Sequence, residues 1–153
     1  MGLNLRRIVT GHDSTGKPVV VLDDEGKHIS TWRPHMHQQQ LWTTTDLPVE
    51  LDDGNTDKGA REVGTTIPGG SVFKVVEFGP GVTPRVHRTD SIDYAIVLSG
   101  EIDMELGEGK AVHLKDGDVL VQRATIHNWV NRYSKPCRIA FVLISTVGQT
   151  AIG

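Results

Sequence analysis

The chain has 153 residues, a net charge of −3 and one cysteine, Cys137. This length favours a single domain that folds without staples, and the lone cysteine excludes an internal disulfide framework and fits a reducing compartment. Mixed charges give no electrostatic basis for binding nucleic acid or a membrane surface. The N-terminus lacks a signal-peptide pattern, and the longest apolar run, at 139–144, is too short to span a bilayer, so we expect a cytoplasmic protein.

Residues 1–69 are predicted to be an irregular N-terminal extension of the same domain. Turn-rich stretches, GHDSTGKP and DDEGK, flank a short strand from Val19 to Leu22, and PHMHQQQLWTTTD could hold another. Residues 45–70 are acidic and rich in Gly and Thr, which is typical of a surface loop or lid. His35 and His37 alternate as in a strand and are best interpreted as polar residues near an edge or a cavity mouth.

From residue 70 onward the pattern changes to short strands separated by turns. The segment SVFKVVEF is β-branched and aromatic with a period near two. Turn signals then separate strand candidates at regular intervals, and no amphipathic helix is evident. The candidates are 85–87, 94–98, 102–106, 111–114, 119–122, 127–130 and 138–145. Many short strands at even spacing predict an all-β sandwich or barrel.

Three side chains with metal-binding chemistry lie in this region. His87 and Asp93 are six residues apart, and His127 lies on the other side of the intervening hairpin. Because side chains alternate along a strand, His127 shares a face with Trp129, and Asp93 shares one with Val97. Two imidazoles and one carboxylate can form a facial ligand set that leaves open positions on a divalent metal.

These residues and their spacing resemble the two sequence motifs of the cupin superfamily. The first motif corresponds to Gly81, His87, Asp93 and Gly100, and the second to Gly117, His127 and Asn131. The resemblance implies a double-stranded β-helix, or jelly-roll barrel, over 70–153. It also implies one divalent metal ion per chain (Fe, Mn, Zn or Ni) and a homodimer. More narrowly, HRTDSIDYAIVLSGEIDMEL and VQRATIHNWVNR resemble the cupin-domain oxidoreductases of polyketide and small-molecule metabolism.

Two departures from the cupin pattern affect the expected site. Thr89 replaces the second histidine of the first motif, and Asp93 replaces its glutamate with a shorter side chain. In the second motif, residues 122–124 read Gln-Arg-Ala in place of Pro-x-Gly. The resemblance therefore assigns metal-ligand roles only to His87, Asp93 and His127. Thr89 could contact a metal weakly or through water, and the site could also bind metal poorly or be empty.

Other residues are candidates for binding a substrate. Trp129 could stack on a substrate ring, although core filling is an equal explanation. Arg123 could bind a carboxylate through two hydrogen bonds or be a solvated rim charge, and Arg85 is expected on the same face as His87. A carboxylate inside a barrel needs a cationic partner, which Arg85, Arg88 or Arg123 could provide for Asp93.

Three functions remain open from the sequence, of which one, a structural or regulatory dimer with the barrel only as a scaffold, has no positive support. The first is a metal-dependent enzyme acting on a small organic molecule, of oxidoreductase or dioxygenase type, or a metal-assisted decarboxylase or isomerase. The second is a non-catalytic module that binds a small molecule beside a degenerate metal site, which the substitution at Thr89 favours.

Overall fold

A computed structural model describes residues 2–51 and 54–147, and within these ranges the chain forms strands and one short 3-10 helix, Lys58–Ala60. The strands are β1 (Arg6–His12), β2 (Pro18–Glu25), β3 (Ile29–Arg33), β4 (Met36–Thr44), β5 (Ser71–Phe78), β6 (Ser91–Ser99), β7 (Glu101–Gly107), β8 (Lys110–Lys115), β9 (Val119–Arg123), β10 (Asn128–Val130) and β11 (Cys137–Ser145). The predicted all-β class is therefore confirmed. In the described part of the chain, no helix has the length and apolarity that crossing a membrane requires.

The strands form three antiparallel sheets. The largest has the order β3-β4-β5-β11-β6-β9, the second has the order β10-β7-β8, and β1 pairs with β2 alone. Non-consecutive neighbours in the large sheet, such as β5, β11 and β6, show that the chain crosses between sheets. The core lies between the two larger sheets and includes Ile102 and Ile139, both fully buried.

The side chains of β6 alternate between the interior of the barrel and its outer surface. Asp93, Ala95 and Val97 are buried, whereas Tyr94 and Ile96 are about half exposed on the opposite face. This is the two-residue period expected of a strand with one face turned inward. The predicted common face for residues 93, 95 and 97 is confirmed, and one carboxylate is placed in the interior.

The N-terminal region contains more sheet than its sequence predicts. β1 and β3 were not anticipated, and β4 is a nine-residue strand that pairs with both β3 and β5. The polar sequence of β4 does not predict a central strand, but Gln38 and Gln39 are buried. The Gln39 side-chain amide exchanges hydrogen bonds with the backbone of Leu5, at 3.0 and 3.2 Å, which satisfies an amide that would be costly to bury alone.

The loop before β5 is fixed to the sheet through its short helix. Arg7, which is buried, binds both Asp24 and Asp57 with nitrogen–oxygen distances of 2.7–2.9 Å for the closest contacts. Asp57 caps the helix by accepting a hydrogen bond from the Gly59 amide. Gln40 donates to the Gly59 carbonyl at 2.9 Å. The predicted surface loop is therefore anchored at residues 57–60.

Two motif residues shape turns around the barrel. Gly100 has φ of +82°, and a Cβ there would lie 2.4 Å from the Pro136 carbonyl oxygen, so the turn between β6 and β7 requires glycine. The Asn131 side chain donates to the carbonyls of Phe78 and Lys135 and accepts from the amide of Tyr133, each at 2.9 Å. The predicted turn role of Asn131 is confirmed.

Candidate active site in the barrel

One cavity opens into the barrel between the two larger sheets. Its volume is about 50 Å³, which is room for a small chemical group or a few water molecules. The wall combines aromatic and aliphatic side chains with a few polar ones. The lining residues include Trp32, Arg33, Met36, Lys74, Phe78, Arg85, His87, Thr89, Asp93, His127, Trp129 and Phe141.

His87 and His127 form an isolated antiparallel bridge at the cavity. Each backbone N–H donates to the other residue's carbonyl at 3.0 Å, and the ring centroids are 4.3 Å apart. The predicted strand over 85–87 is reduced to this one pairing, and β10 begins at Asn128. The bridge nevertheless brings the two histidines side by side, as the sequence predicts.

Local hydrogen bonds determine the tautomer of both imidazoles. Nδ1 of His87 donates to the carbonyl of Arg85, and Nδ1 of His127 donates to that of Thr125, both at 2.9 Å. Because a carbonyl can only accept, Nε2 of each neutral ring keeps its lone pair. Burial lowers the pKa of His87 to about 4 and also lowers the pKa of His127, so both rings are uncharged at neutral pH.

Asp93 lies 4% exposed at the base of the site, and neutral side chains hold its carboxylate. Ser91 donates a hydrogen bond to Oδ1, and the side-chain nitrogen of Gln122 donates to Oδ2 at 3.2 Å. Burial raises the pKa of Asp93, while these hydrogen bonds and the charge of Lys74 act in the opposite direction. The expected arginine partner is wrong: among the described residues no arginine forms an ion pair with Asp93, Arg88 pairs with Asp90 at 2.8 Å, and the cation whose charge acts on Asp93 is Lys74.

Gln122 connects the carboxylate to one imidazole. Its side-chain nitrogen also lies 3.3 Å from Nε2 of His127, and its side-chain oxygen is buried without a hydrogen-bond partner among the described residues. This glutamine occupies the departure from the cupin Pro-x-Gly, and Ala124 keeps a positive φ of 53° where that pattern has glycine. Thr89 is bonded to Ser91 at 3.0 Å rather than to an imidazole.

Lys74 is a charged side chain of the cavity lining that sequence reasoning missed. It is 7% exposed on the inner face of β5, with Nζ 3.3 Å from Oε1 of Gln38 and 5.2 Å from the centre of the Trp32 ring. Burial lowers the pKa of this amine to about 8, although the Asp93 charge opposes the shift. A signal existed, because alternation along β5 puts Lys74 on the same face as Val72 and Val76.

The donor set meets the requirements of a divalent metal only in part. Nε2 of His87 has an available lone pair, which is the form that binds metals, whereas Nε2 of His127 accepts a 3.3 Å hydrogen bond from Gln122. Asp93 is engaged by Ser91 and Gln122, however, and across residues 2–51 and 54–147 no three His, Cys, Asp or Glu side chains are grouped to hold an ion. The assignment of His87, Asp93 and His127 as ligands stays a prediction.

The predicted substrate-binding residues occupy three different environments. Trp129 is 3% exposed and contacts both the cavity and the core, with its ring 5.6 Å from Phe78 and 5.9 Å from Phe141. Arg85 lines the cavity mouth. Arg123 is exposed at the end of β9, outside the cavity lining, so a role in substrate binding stays a prediction. His35 and His37 also lie outside that lining.

Comparison with known proteins agrees with this geometry. The model of the Cupin_2 family, the cupin domain, matches residues 74–144. The cupin-domain-containing oxidoreductase fogC of Aspergillus ruber is 37% identical over 144 residues, which cover 90% of this chain and 71% of fogC. The chain belongs to the cupin family. Another relative, phomopsin biosynthesis cluster protein C' of Diaporthe leptostromiformis, is 38% identical over 134 residues, which cover 82% of this cupin and 70% of the relative.

Solved structures support the same fold. The polyketide cyclase RemF from Streptomyces resistomycificus aligns with a TM-score of 0.50 at 17% identity, over 78% of this cupin and 75% of RemF. At this identity the likeness concerns the fold alone. The expected cupin jelly roll is therefore confirmed, and its relatives are cupin proteins named as oxidoreductases or as products of biosynthetic clusters.

Proposed function

We propose that this cupin is an enzyme that converts a small organic molecule at the barrel cavity, with the reacting atoms held beside His87, Asp93 and His127. The juxtaposition of two uncharged imidazoles and one buried carboxylate against a largely apolar cavity supports this function. Convergent polar groups in an apolar pocket are the usual form of an active site. The chemistry is of oxidoreductase type, as in the relatives' names, or is a decarboxylation or isomerisation.

The chain's own side chains provide acid–base groups for such a reaction. Nε2 of His87 or His127 accepts a hydrogen bond or a proton from the substrate, while the Nδ1 bonds to carbonyls keep each ring oriented. Lys74, with a pKa of about 8, exchanges a proton close to neutral pH. Trp129 and Phe141 restrict water on the apolar side of the cavity.

We further propose that a divalent metal binds through Nε2 of His87 and His127, with Asp93 as the expected third ligand. A bound ion would polarise a substrate carbonyl as a Lewis acid, and iron would add redox chemistry. For the carboxylate to participate, it must exchange the hydrogen bond from Gln122 for the metal. The tautomers of the two imidazoles support this proposal, and the bonded state of Asp93 weakens it.

Elemental analysis of protein purified without added metal or an affinity tag tests the metal. We expect about one ion per chain in the wild type and in His12→Ala, whose side chain is exposed, and at least a tenfold loss in His87→Ala and His127→Ala. Thr89→His restores the family's second imidazole and should tighten binding. Equal metal in all variants, or none in the wild type after anaerobic reconstitution with Fe, Mn, Zn and Ni, would contradict metal dependence.

Turnover requires a separate test, because metal binding alone does not make an enzyme. Wild type, His127→Ala and His12→Ala are incubated with a panel of 2-oxo acids and 1,3-dicarbonyl compounds, and products and dioxygen are followed by mass spectrometry and an oxygen electrode. Conversion by the wild type and His12→Ala but not by His127→Ala supports the proposal. Conversion that His127→Ala retains in full contradicts it.

A non-catalytic binding module is the second candidate. It is favoured by the hydrogen bond between Thr89 and Ser91 and by the lack of a three-donor group in the described residues, since both resemble a degenerate metal site. Binding of panel compounds with no product, with or without added metal, would support the module over the enzyme.

We also propose that the protein forms a homodimer through the outer face of the large sheet. Apolar side chains of β5, β11, β6 and β9 meet there, and none of the residues that line the shallow groove across them is charged. The outward side chains in this groove are Phe73, Tyr94, Ile96, Val119, Val121, Ala140 and Val142, and the inward residues Ala95 and Leu120 lie between them. An uncharged face is complementary to a second copy of itself, which a twofold interface requires.

A further inference from the structure

We propose that the cavity selects a substrate that carries a carboxylate, and that Arg33 and Arg85 bind this group. The inference rests on the proposed function only in taking the cavity as the place where the substrate binds. It is carried by an excess of positive charge around the cavity and by a buried guanidinium nitrogen with no partner.

The cavity lining contains three permanent or largely protonated cations and one carboxylate. The cations are Lys74, Arg33 and Arg85, the carboxylate is Asp93, and both histidines are neutral. Lys74 offsets Asp93, since each influences the pKa of the other. Arg33 and Arg85 are then left without a counter-charge.

Neither arginine has an acidic partner within the described residues. No ion pair joins the side chain of Arg33 or Arg85 to an Asp or Glu there, although other arginines, such as Arg7 and Arg132, form two each. Nε of Arg33 is buried and makes no hydrogen bond in the same part of the chain. A buried donor of a charged group costs free energy until an acceptor reaches it.

The two guanidinium groups also act on each other and on the histidines. Burial, followed by the charge of Arg85, lowers the pKa of Arg33, and the Arg85 charge contributes to the lowered pKa of both His87 and His127. The two guanidinium groups are therefore close enough to repel each other. An anion in the cavity would relieve this repulsion, whereas a neutral molecule would not.

The hydrogen-bond geometry of the guanidinium groups and the volume of the cavity indicate which anion fits. Guanidinium groups bind planar carboxylates through paired hydrogen bonds. A volume of about 50 Å³ admits a small head group but not a whole substrate of ordinary size. The carboxylate therefore enters first, and the remainder of the substrate lies at the mouth against Trp32, a residue that is 44% exposed.

Binding of benzoate and of neutral benzamide, measured by calorimetry in the presence of EDTA, tests the proposal. We expect benzoate to bind the wild type at least about tenfold more tightly than benzamide, because only the anion pairs with the arginines. Arg33→Met and Arg85→Met should each lose this preference, and Arg33→Lys should retain part of it. Arg6→Met removes an exposed arginine that does not line the cavity and should bind benzoate like the wild type.

The outcomes separate this proposal from the proposed enzyme. Equal binding of benzoate and benzamide, no binding of either, or unchanged benzoate affinity in a folded Arg33→Met variant would overturn the carboxylate site. Circular dichroism and the melting temperature establish folding, and Arg85→Met provides a second variant at the exposed mouth if Arg33→Met does not fold. Because no metal or turnover is involved, failure of the enzyme proposal leaves this result unaffected.

Discussion

Along β6 and β5, the side chains that point into the barrel include charged residues, whereas side chains that point outward include apolar residues. The inner face carries Asp93 and Lys74 among its apolar residues, and the outer face carries Tyr94 and Ile96, each about half exposed. A sheet that served only to enclose a core would have the opposite distribution of polarity. The inner charges are the basis for the proposed ligand, and the outer apolar surface is the basis for the proposed dimer.

The energetic requirements of the two faces also differ. A buried charge must be stabilised by its surroundings. Lys74 is hydrogen-bonded to Gln38, Asp93 is hydrogen-bonded to Ser91 and Gln122, and the two opposite charges act on each other. An exposed apolar side chain costs less free energy than a buried charge. Such side chains stabilise an interface when association removes a sufficiently large apolar area from water. Substitutions on the inner face should therefore change stability and chemistry, and those on the outer face should change association.

Trp129→Ala should produce the largest effect, a loss of about 3–5 kcal/mol in the free energy of unfolding, because it leaves a cavity next to Phe78 and Phe141. Urea denaturation at constant pH measures this loss. Trp32→Ala is the matched control, since its exposed ring should cost about 1 kcal/mol or less. An equal loss of stability in both variants would mean that Trp129 lines the cavity without contributing to the core.

Lys74→Met should change how stability depends on pH. The lysine pKa is about 8 in the folded protein and near 10.5 in the unfolded chain, so between these values the unfolded chain binds more protons and the stability of the wild type rises with pH. Below pH 8 the cost of the buried charge is fully present. The difference between the folded and unfolded pKa corresponds to a stability change of about 3 kcal/mol across this pH range. The Lys74→Met variant should not show this change.

Denaturation of wild type and Lys74→Met at pH 7.5, 9 and 10.5 measures this difference, and groups common to both proteins cancel in the comparison. Identical profiles for the two proteins would mean that Lys74 is not buried as an ammonium ion.

Val121→Lys should have the smallest effect on the stability of the folded chain, but it should weaken the proposed dimer. It places a charge on the outer face of β9, where two copies would otherwise bury apolar surface, so we expect the dimer dissociation constant to rise at least about tenfold with little loss of stability. Analytical ultracentrifugation measures this constant. Val112→Lys, on β8 in the other sheet, is the control, and an equal effect of both would place the interface elsewhere.

Sequence reasoning was most successful where spacing and alternation determine position. Six of the seven strand candidates after residue 80, the pairing of His87 with His127 and the inward direction of Asp93 all follow from a two-residue period and from the cupin motif, whereas the candidate at 85–87 is only an isolated bridge. Lys74 carried the same signal on β5, but a charged residue in an apolar strand is ordinarily assigned to the solvent face. The partner of Asp93 was therefore sought among arginines and assigned incorrectly.

Other features depend on contacts that no local pattern encodes. Arg33 reaches the cavity from the end of β3, a strand that the sequence did not indicate, and β4 was underestimated because its glutamines are satisfied by distant backbone, such as that of Leu5. Gln122 was recognised only as a departure from the motif. Its position between Asp93 and His127 depends on the register of β9 against β6.

The single bridge between His87 and His127 has a consequence for local unfolding. Only the two reciprocal backbone hydrogen bonds of this bridge join these residues, whereas the neighbouring strands are held by continuous ladders. We expect a short pairing of this kind to open more easily than a ladder and to release both imidazoles from their positions at the cavity. Hydrogen exchange at the amides of His87 and His127 therefore reports how often the site disassembles while the rest of the barrel stays folded.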